Sequence, residues 1–393
     1  MGPLALMAKQ AGFEVMGSDL SKGAIYDELI KAGIKVKIGK QNGKFFKKCL
    51  KDGIDWFAYT SALPKDHAEL VAAKKAGIKC TKRDDLTAFL VEKLGLKMIA
   101  VAGTHGKTTT TSMIIYVARK IKLPVAYMVG TTLGFAPSGS YKKGDKFFVY
   151  EADEYDRNFL KYHPWLAVLP CVTYDHPDIY PTKKDYRAAF SKFKSQSNKV
   201  IEEGMLEKKL TIAGAERRHD ASLAAAALLK MAPRMSRESL VYLLNKFPGV
   251  GRRFEKIAKN VYSDYAHHPE EIESTIKTAL EEKERLHKKG VVVVYEPHQN
   301  SRQHKVIEGY KNAFVGADKV FWLPTYLVRE NSNLKIYQPA DFIKKLSNKE
   351  IAEPAKPDWK LAKKLRYYIN KNYLVVLMTA GPADEWLRKK FQK

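Results

Sequence analysis

The chain has 393 residues, 45% hydrophobic and 28% charged, a globular make-up too long for one comfortable core, so two or three domains are expected. No apolar run is long enough to span a bilayer, and the N-terminus has neither a basic n-region nor a small-residue cleavage site; no membrane partner is expected. A net charge of +26 raises nucleic acid as a partner. The lysines, however, are spread along predicted helices without alternating aromatics, so none is expected. A field of that sign draws anionic nucleotides equally well. Cys49, Cys80 and Cys171 lie far apart with no metal-like spacing, which suits a reducing, cytoplasmic setting.

Residues 1 to 97 alternate helix and strand. The chain begins inside a helix, and FEVMGSD reads as a strand ending in Asp19. IYDELIKAGI, IKVKIG, WFAYTSAL, AELVAAKKAG and IKCTKR continue the alternation, which predicts a parallel, doubly wound sheet. Asp19 stands where a Rossmann strand offers an acid to a ribose, and equally where a polar strand end or helix cap would stand. The strand and glycine turn that should open such a unit are expected before Met1.

A second unit opens at Met98. MIAVAGTHGKTTTTSMIIYVARKI predicts strand, glycine loop and helix, while FFVYEADEYD and WLAVLPCVTYDH predict strands whose carboxyl ends carry acids and a histidine. Ligands bind at the carboxyl ends of parallel strands, so these three ends predict one site. ASLAAAALLKMA predicts a closing helix, and a third α/β unit follows from the Pro248-Gly249 turn, with strands at NVYSDYAH, VVVVYEP, KVFWLPTY and YLVVLMTAG. The fold class predicted is thus α/β in three domains. These are an incomplete Rossmann-like domain over 1–97, a central P-loop ATPase-like domain over 98–247, and a C-terminal Rossmann-like domain over 248–393.

Gly103-Thr104-His105-Gly106-Lys107-Thr108 follows an apolar strand and opens a helix, the context a phosphate loop requires. Its glycines let backbone N–H groups approach phosphate, Lys107 would reach the β- and γ-phosphates, and Thr108 or Thr109 would ligate Mg²⁺. Val101 stands where the ordinary pattern has its first glycine, so this is a shortened variant. Glu151 to Glu154 and Asp175-His176 end the next two strands, a setting for hard-metal and general-base chemistry. FPGVGRRF brings two arginines that could clamp phosphate. His267 and His268 are chain neighbours without a third ligand, which argues against zinc.

At this point the sequence resembles the Mur ligases, most closely the branch that joins L-alanine to UDP-N-acetylmuramate. AGTHGKTTTTSM, EADEYD, YDHPDIY, GVGRRFE, DYAHHPEE and YEPHQNSR carry the resemblance, in that family's order. It implies ATP as co-substrate, Mg²⁺ as cofactor, and an acyl phosphate on the muramyl carboxylate that the amine of L-alanine attacks. The product would be an amide and ADP, for peptidoglycan precursor synthesis. By motif, Lys107, Glu151, His176 and Arg253 would be catalytic. Gly103, Thr104, His105, Gly106, Lys107, Thr108, Thr109, Arg253 and Asp264 would bind ATP. Thr108, Thr109, Glu151 and His176 would hold the metal, while Asp19, His105, His267, His298 and Arg302 would face the other substrates. The protein is expected to be a monomer or weak homodimer.

Four departures from the family pattern stand out. The uridine-diphosphate loop would precede Met1, which is expected to reflect a misplaced start codon. The family's asparagine pair is replaced in His219-Asp220-Ala221-Ser222-Leu223, Gln299 stands where many members have arginine, and the stretch from Lys194 to Thr211 is short. A ligase that recycles a preformed tripeptide is the alternative acceptor reading, against which His298 speaks. A catalytically weak nucleotide-sugar-binding relative is the alternative of another class.

Overall fold

The computed structural model describes residues 1–176, 179–327 and 334–392. They pack as two compact units, one of residues 1–210 and 219–248, the other of 211–218 and 249–393. The first contains α1 (Gly2–Gln10), β1 (Met16–Asp19), α2 (Tyr26–Lys31), β2 (Lys35–Ile38), α3 (Lys44–Cys49), β3 (Trp56–Tyr59), α4 (Ala68–Lys75), β4 (Lys79–Lys82) and α5 (Arg83–Lys93). It continues with β5 (Lys97–Val101), α6 (Lys107–Lys120), β6 (Val125–Met128), β7 (Gly139–Ser140), β8 (Phe147–Glu151), β9 (Leu166–Val168), α7 (Lys183–Ser195) and β10 (Val200–Ile201). After α8 (Ala215–Met231) it closes with α9 (Arg237–Asn245).

The doubly wound sheet predicted for the first 97 residues takes a reduced form. β1 pairs with β2 and β3 with β4, both parallel, but as two separate two-stranded sheets. The strands and helices fall where the apolar alternation puts them; among the described residues no strand joins the two pairs.

β5 to β10 form a six-stranded sheet in the order β10-β9-β5-β8-β6-β7, parallel except for β7 at the edge. Its central strands are buried on both faces, which is why MIAVA and LAV read as unbroken apolar runs. Register sets the chemistry. Val101 pairs with Glu151 on one side and Val168 on the other, so β5, β8 and β9 end level. The segments that follow, beginning at Gly103, Ala152 and Leu169, are therefore neighbours.

The second unit repeats the plan with β11 (Glu255–Ala258), β12 (Val261–Asp264), α10 (Pro269–Arg285), β13 (Val291–Glu296), α11 (Asn300–Val306) and β14 (Lys319–Trp322). α12 (Pro339–Ile343), β15 (Ala352–Pro354), α13 (Trp359–Asn370), β16 (Leu374–Thr379) and α14 (Ala383–Phe391) complete it. The sheet order is β11-β12-β16-β13-β14-β15, with only β11 antiparallel. Glu296 pairs with Thr379 and Asp264 with Met378, so here too the carboxyl ends line up. An aromatic cluster of Tyr295, Tyr310, Phe314, Trp322 and Phe342 fills one face of this sheet.

Candidate active site

The phosphate loop is fastened to the segment after β9. The backbone N–H of Thr104 donates to the carbonyl of Cys171 at 2.7 Å. Thr104 Oγ1 accepts from the N–H of Thr173 at 3.0 Å and lies 2.8 Å from the Tyr186 hydroxyl. Both loop glycines are required. At Gly103 (φ +149°) a Cβ would lie 2.5 Å from the Cys171 carbonyl oxygen, and at Gly106 (φ +81°) 2.3 Å from Oδ1 of Asp220. Gly106 is the N-cap of α6, so the first N–H groups of a fourteen-residue helix face the loop.

Three side chains converge on one acid. Lys107 Nζ donates to Glu154 at 2.9 and 3.0 Å. His176 Nε2 lies 3.6 Å from the same carboxylate, whose side chain is only 1% exposed. The Tyr180 hydroxyl donates to the Glu154 carbonyl at 2.6 Å and fixes its backbone. Hydrogen bonding to Glu154 raises the His176 pKa against the opposing effect of burial, with Asp175 adding to the rise. His176 also has a left-handed backbone, φ +55°, a costly conformation for a non-glycine residue that the surrounding bonds sustain. Burial, with the nearby charge of Glu154, raises the Asp153 carboxyl as well.

Glu151 turns the other way. It accepts from Thr108 Oγ1 at 3.1 Å and from the backbone N–H of Gly130 at 3.4 Å. Thr109 is buried in α6, so Thr108 is the hydroxyl presented beside the acid. Among the described residues no three His, Cys, Asp or Glu side chains form a metal cage. A hydroxyl and one carboxylate of hard oxygens beside a phosphate loop still suit Mg²⁺, which completes its shell with phosphate and water. Of the expected metal ligands, the structure brings Thr108 and Glu151 together, while His176 sits with Glu154. Glu154, which the sequence offers only as the last acid of the run from Glu151, gains a role of its own here, and its partner choice is visible only once β5 and β8 are in register. His105 is exposed, its backbone bridged to Cys171. Asp19 is exposed at the end of β1, where it accepts from Ser21 N–H at 3.4 Å in a turn. Behind it Ser18 donates to the buried Glu69 and accepts from Gln41.

In the second unit the two arginines of GRR part company. Arg252 donates to the carbonyls of Thr379 and Gly381, and so braces the turn after β16. Arg253 makes no side-chain hydrogen bond among the described residues; its guanidinium lies 5.1 Å from the centre of the Tyr265 ring. Asp264 binds that loop from below, accepting from Phe254 N–H at 2.6 Å and Ala266 N–H at 2.9 Å. Burial raises its pKa, with Arg253 opposing the shift. His267, Arg302 and His298 do meet: Arg302 Nη1 bonds His267 Nε2, and the two imidazole centres are 5.7 Å apart. Burial lowers the His267 pKa, which keeps the ring neutral at pH 7. Gln303 donates to the His298 carbonyl at 2.9 Å and Tyr310 donates to Gln303 at 2.6 Å, anchoring this cluster to the aromatic core.

A shortened phosphate loop at level parallel strand ends, with a lysine, a hydroxyl and acids around it, defines a nucleotide-dependent α/β enzyme. Comparison with known proteins narrows the class. Residues 1–93 match the Mur ligase family catalytic domain and residues 101–203 the Mur ligase middle domain. The UDP-N-acetylmuramate--L-alanine ligase of Clostridium botulinum strain Hall is 31% identical over 389 residues, covering 84% of this chain and 81% of that protein. That of Caldicellulosiruptor saccharolyticus is 28% identical over 84% of this chain and 83% of its own. The solved UDP-N-acetylmuramate-alanine ligase from Thermotoga maritima superposes with a TM-score of 0.78 at 23% identity, covering 99% of this chain and 95% of that one. A murein peptide ligase from Psychrobacter arcticus gives 0.58 at 20% identity, with coverage of 99% and 95%. The chain belongs to the Mur ligase family and has its three-domain α/β fold.

Proposed function

We propose that this ligase joins L-alanine to the carboxylate of UDP-N-acetylmuramate, using ATP and forming ADP and phosphate. The observation that supports it is the level ending of β5, β8 and β9, which gathers Lys107, the Thr108–Glu151 pair and the Glu154–His176 pair around one phosphate loop. We assign residues 1–97 to the nucleotide sugar, 98–247 to ATP and 248–393 to the amino acid, in the cytoplasm.

In this reading the α6 N-terminus and loop N–H groups hold the ATP phosphates, and Lys107 turns from Glu154 to the γ-phosphate. Thr108 and Glu151, with His176, would hold magnesium, which would neutralise phosphate charge. Thr109, Gly103, Thr104 and His105 shape the loop, and Arg253 and Asp264 are assigned to ATP by their motifs. The muramyl carboxylate oxygen attacks the γ-phosphorus and the bond to ADP breaks. The amine of L-alanine then attacks the acyl carbon, and phosphate leaves as the amide forms. His267, His298 and Arg302 orient the acceptor and carboxylate, and Asp19 and His105 face the nucleotide sugar. Glu154 gives Lys107 and His176 a partner when no nucleotide is present, so the Lys107 cation is not left unpaired in a half-buried setting.

The test is product identity. The purified chain is incubated with MgATP, UDP-N-acetylmuramate and either L-alanine or a preformed tripeptide, and the products are identified by mass spectrometry. The alanyl adduct is expected with L-alanine. Adduct from the tripeptide alone would assign the recycling reaction, and sugar binding with no adduct from either would make the chain a binding protein.

A further inference from the structure

α13 has two faces of opposite character. Leu361, Ala362 and Leu365 are buried, and Tyr368 and Ile369 half-buried, packing on the sheet of the second unit. At roughly 100° per residue these positions form one arc of the helix. The opposite arc holds Trp359, Lys360, Lys363, Arg366, Tyr367 and Lys371, all exposed. Trp359 is 66% and Tyr367 59% exposed, among the most open large side chains in the protein. Lys364, on the same arc, is the one paired with an acid, Glu353.

No Asp or Glu occurs from Trp359 to Ala383, and Asp358 is taken up as the helix cap, accepting from Leu361 N–H at 2.9 Å. No acid on this element balances the four remaining cations; Lys360 lies 5.9 Å from the Trp359 ring and Lys371 6.0 Å from the Tyr367 ring, and Arg366 lies 5.4 Å from that of Phe391. Solvation alone explains exposed lysines; it does not explain an exposed tryptophan and tyrosine among them. Tryptophan and tyrosine with flanking lysines is the chemistry that settles at a headgroup layer, where rings lie in the interface and cations meet anionic lipid.

We propose that the exposed face of α13 docks the protein on an anionic phospholipid surface. The two rings sit about 12 Å apart along the helix, whereas bases in one strand repeat about every 3.4 Å. A convex helix of this kind has no groove to track a phosphate backbone, so a lipid plane suits it better than nucleic acid. A second copy of the chain would bring like charge against like. The absence of a membrane-crossing helix among the described residues concerns insertion and leaves surface docking open.

The experiment is co-sedimentation of the full chain with vesicles of phosphatidylcholine alone or mixed with phosphatidylglycerol. The chain is expected to pellet with the mixed vesicles only, and to be released by high salt. The pair Trp359→Ala and Tyr367→Ala, and separately Lys360→Glu with Lys363→Glu, should each weaken partitioning at least about tenfold. Thermal midpoints should be unchanged, because all four side chains face solvent. Pelleting that ignores lipid charge, or that survives both sets of substitutions, overturns the proposal. So does retention of a single-stranded oligonucleotide through Trp359 with no vesicle binding.

Discussion

The two six-stranded sheets follow the same plan and end in different chemistry. In the middle of the chain, backbone does most of the work: two glycines, a helix N-terminus and bonds from Thr104 to Cys171 and Thr173 make a rigid cradle. At the ends of β12, β13 and β16 the polar groups are side chains, His267, His298 and Arg302, anchored to an aromatic core. A backbone cradle suits phosphate, which every turnover presents in the same form. Side chains suit an organic substrate whose shape must be distinguished.

If that contrast is right, the largest loss follows removal of Lys107 from the cradle. Lys107→Ala should lower ATP-dependent phosphate release roughly a thousandfold, the upper range for removing a single oxyanion-type donor. Next comes the backbone itself. Gly106→Ala puts a methyl against Asp220 and Pro170 at positive φ, and should cost about 1–3 kcal/mol of stability together with most ATP affinity, read by calorimetry. The second sheet predicts a split between neighbours. Arg253→Ala should reduce kcat/KM with an unchanged thermal midpoint, whereas Arg252→Ala should lower the midpoint by releasing the Thr379 and Gly381 carbonyls, about 1–3 kcal/mol. Equal effects of the two would erase the distinction drawn between them.

The smallest effect concerns Glu154. The His176 pKa is raised above the ordinary 6.5 chiefly by this acid, so the charged imidazole stabilises the fold fully below pH 6.5. That contribution is lost as pH rises through the elevated folded value. Glu154→Gln should bring the His176 midpoint, followed by NMR, down towards or below 6.5. The stability gap between variant and parent should then narrow as pH rises. A midpoint that does not move would assign the shift to Asp175 instead.

Much of this was legible in the sequence. The apolar runs placed β5, β8, β9, β12, β13 and β16, and glycine spacing placed the loop, because buried parallel strands and phosphate cradles each demand particular residues. Register was not legible. Glu151 and Glu154 are three residues apart in one acidic run, yet one turns to Thr108 and the other to Lys107 and His176, a choice set by how β8 lies beside β5. Arg252 and Arg253 are likewise equivalent as letters and separated only by the turn after β16. The reduced sheets of the first 97 residues escaped the sequence pattern, since alternation predicts strands without saying which of them pair.

The central claim is that the cradle serves a ligation that needs all three substrates, and phosphate release tests it most directly. With ATP and magnesium, the purified chain should release phosphate only when UDP-N-acetylmuramate and L-alanine are both present, in step with product, and Lys107→Ala should lower that release roughly a thousandfold. Phosphate released at the same rate without the acceptor, or undiminished in that variant, would contradict the account.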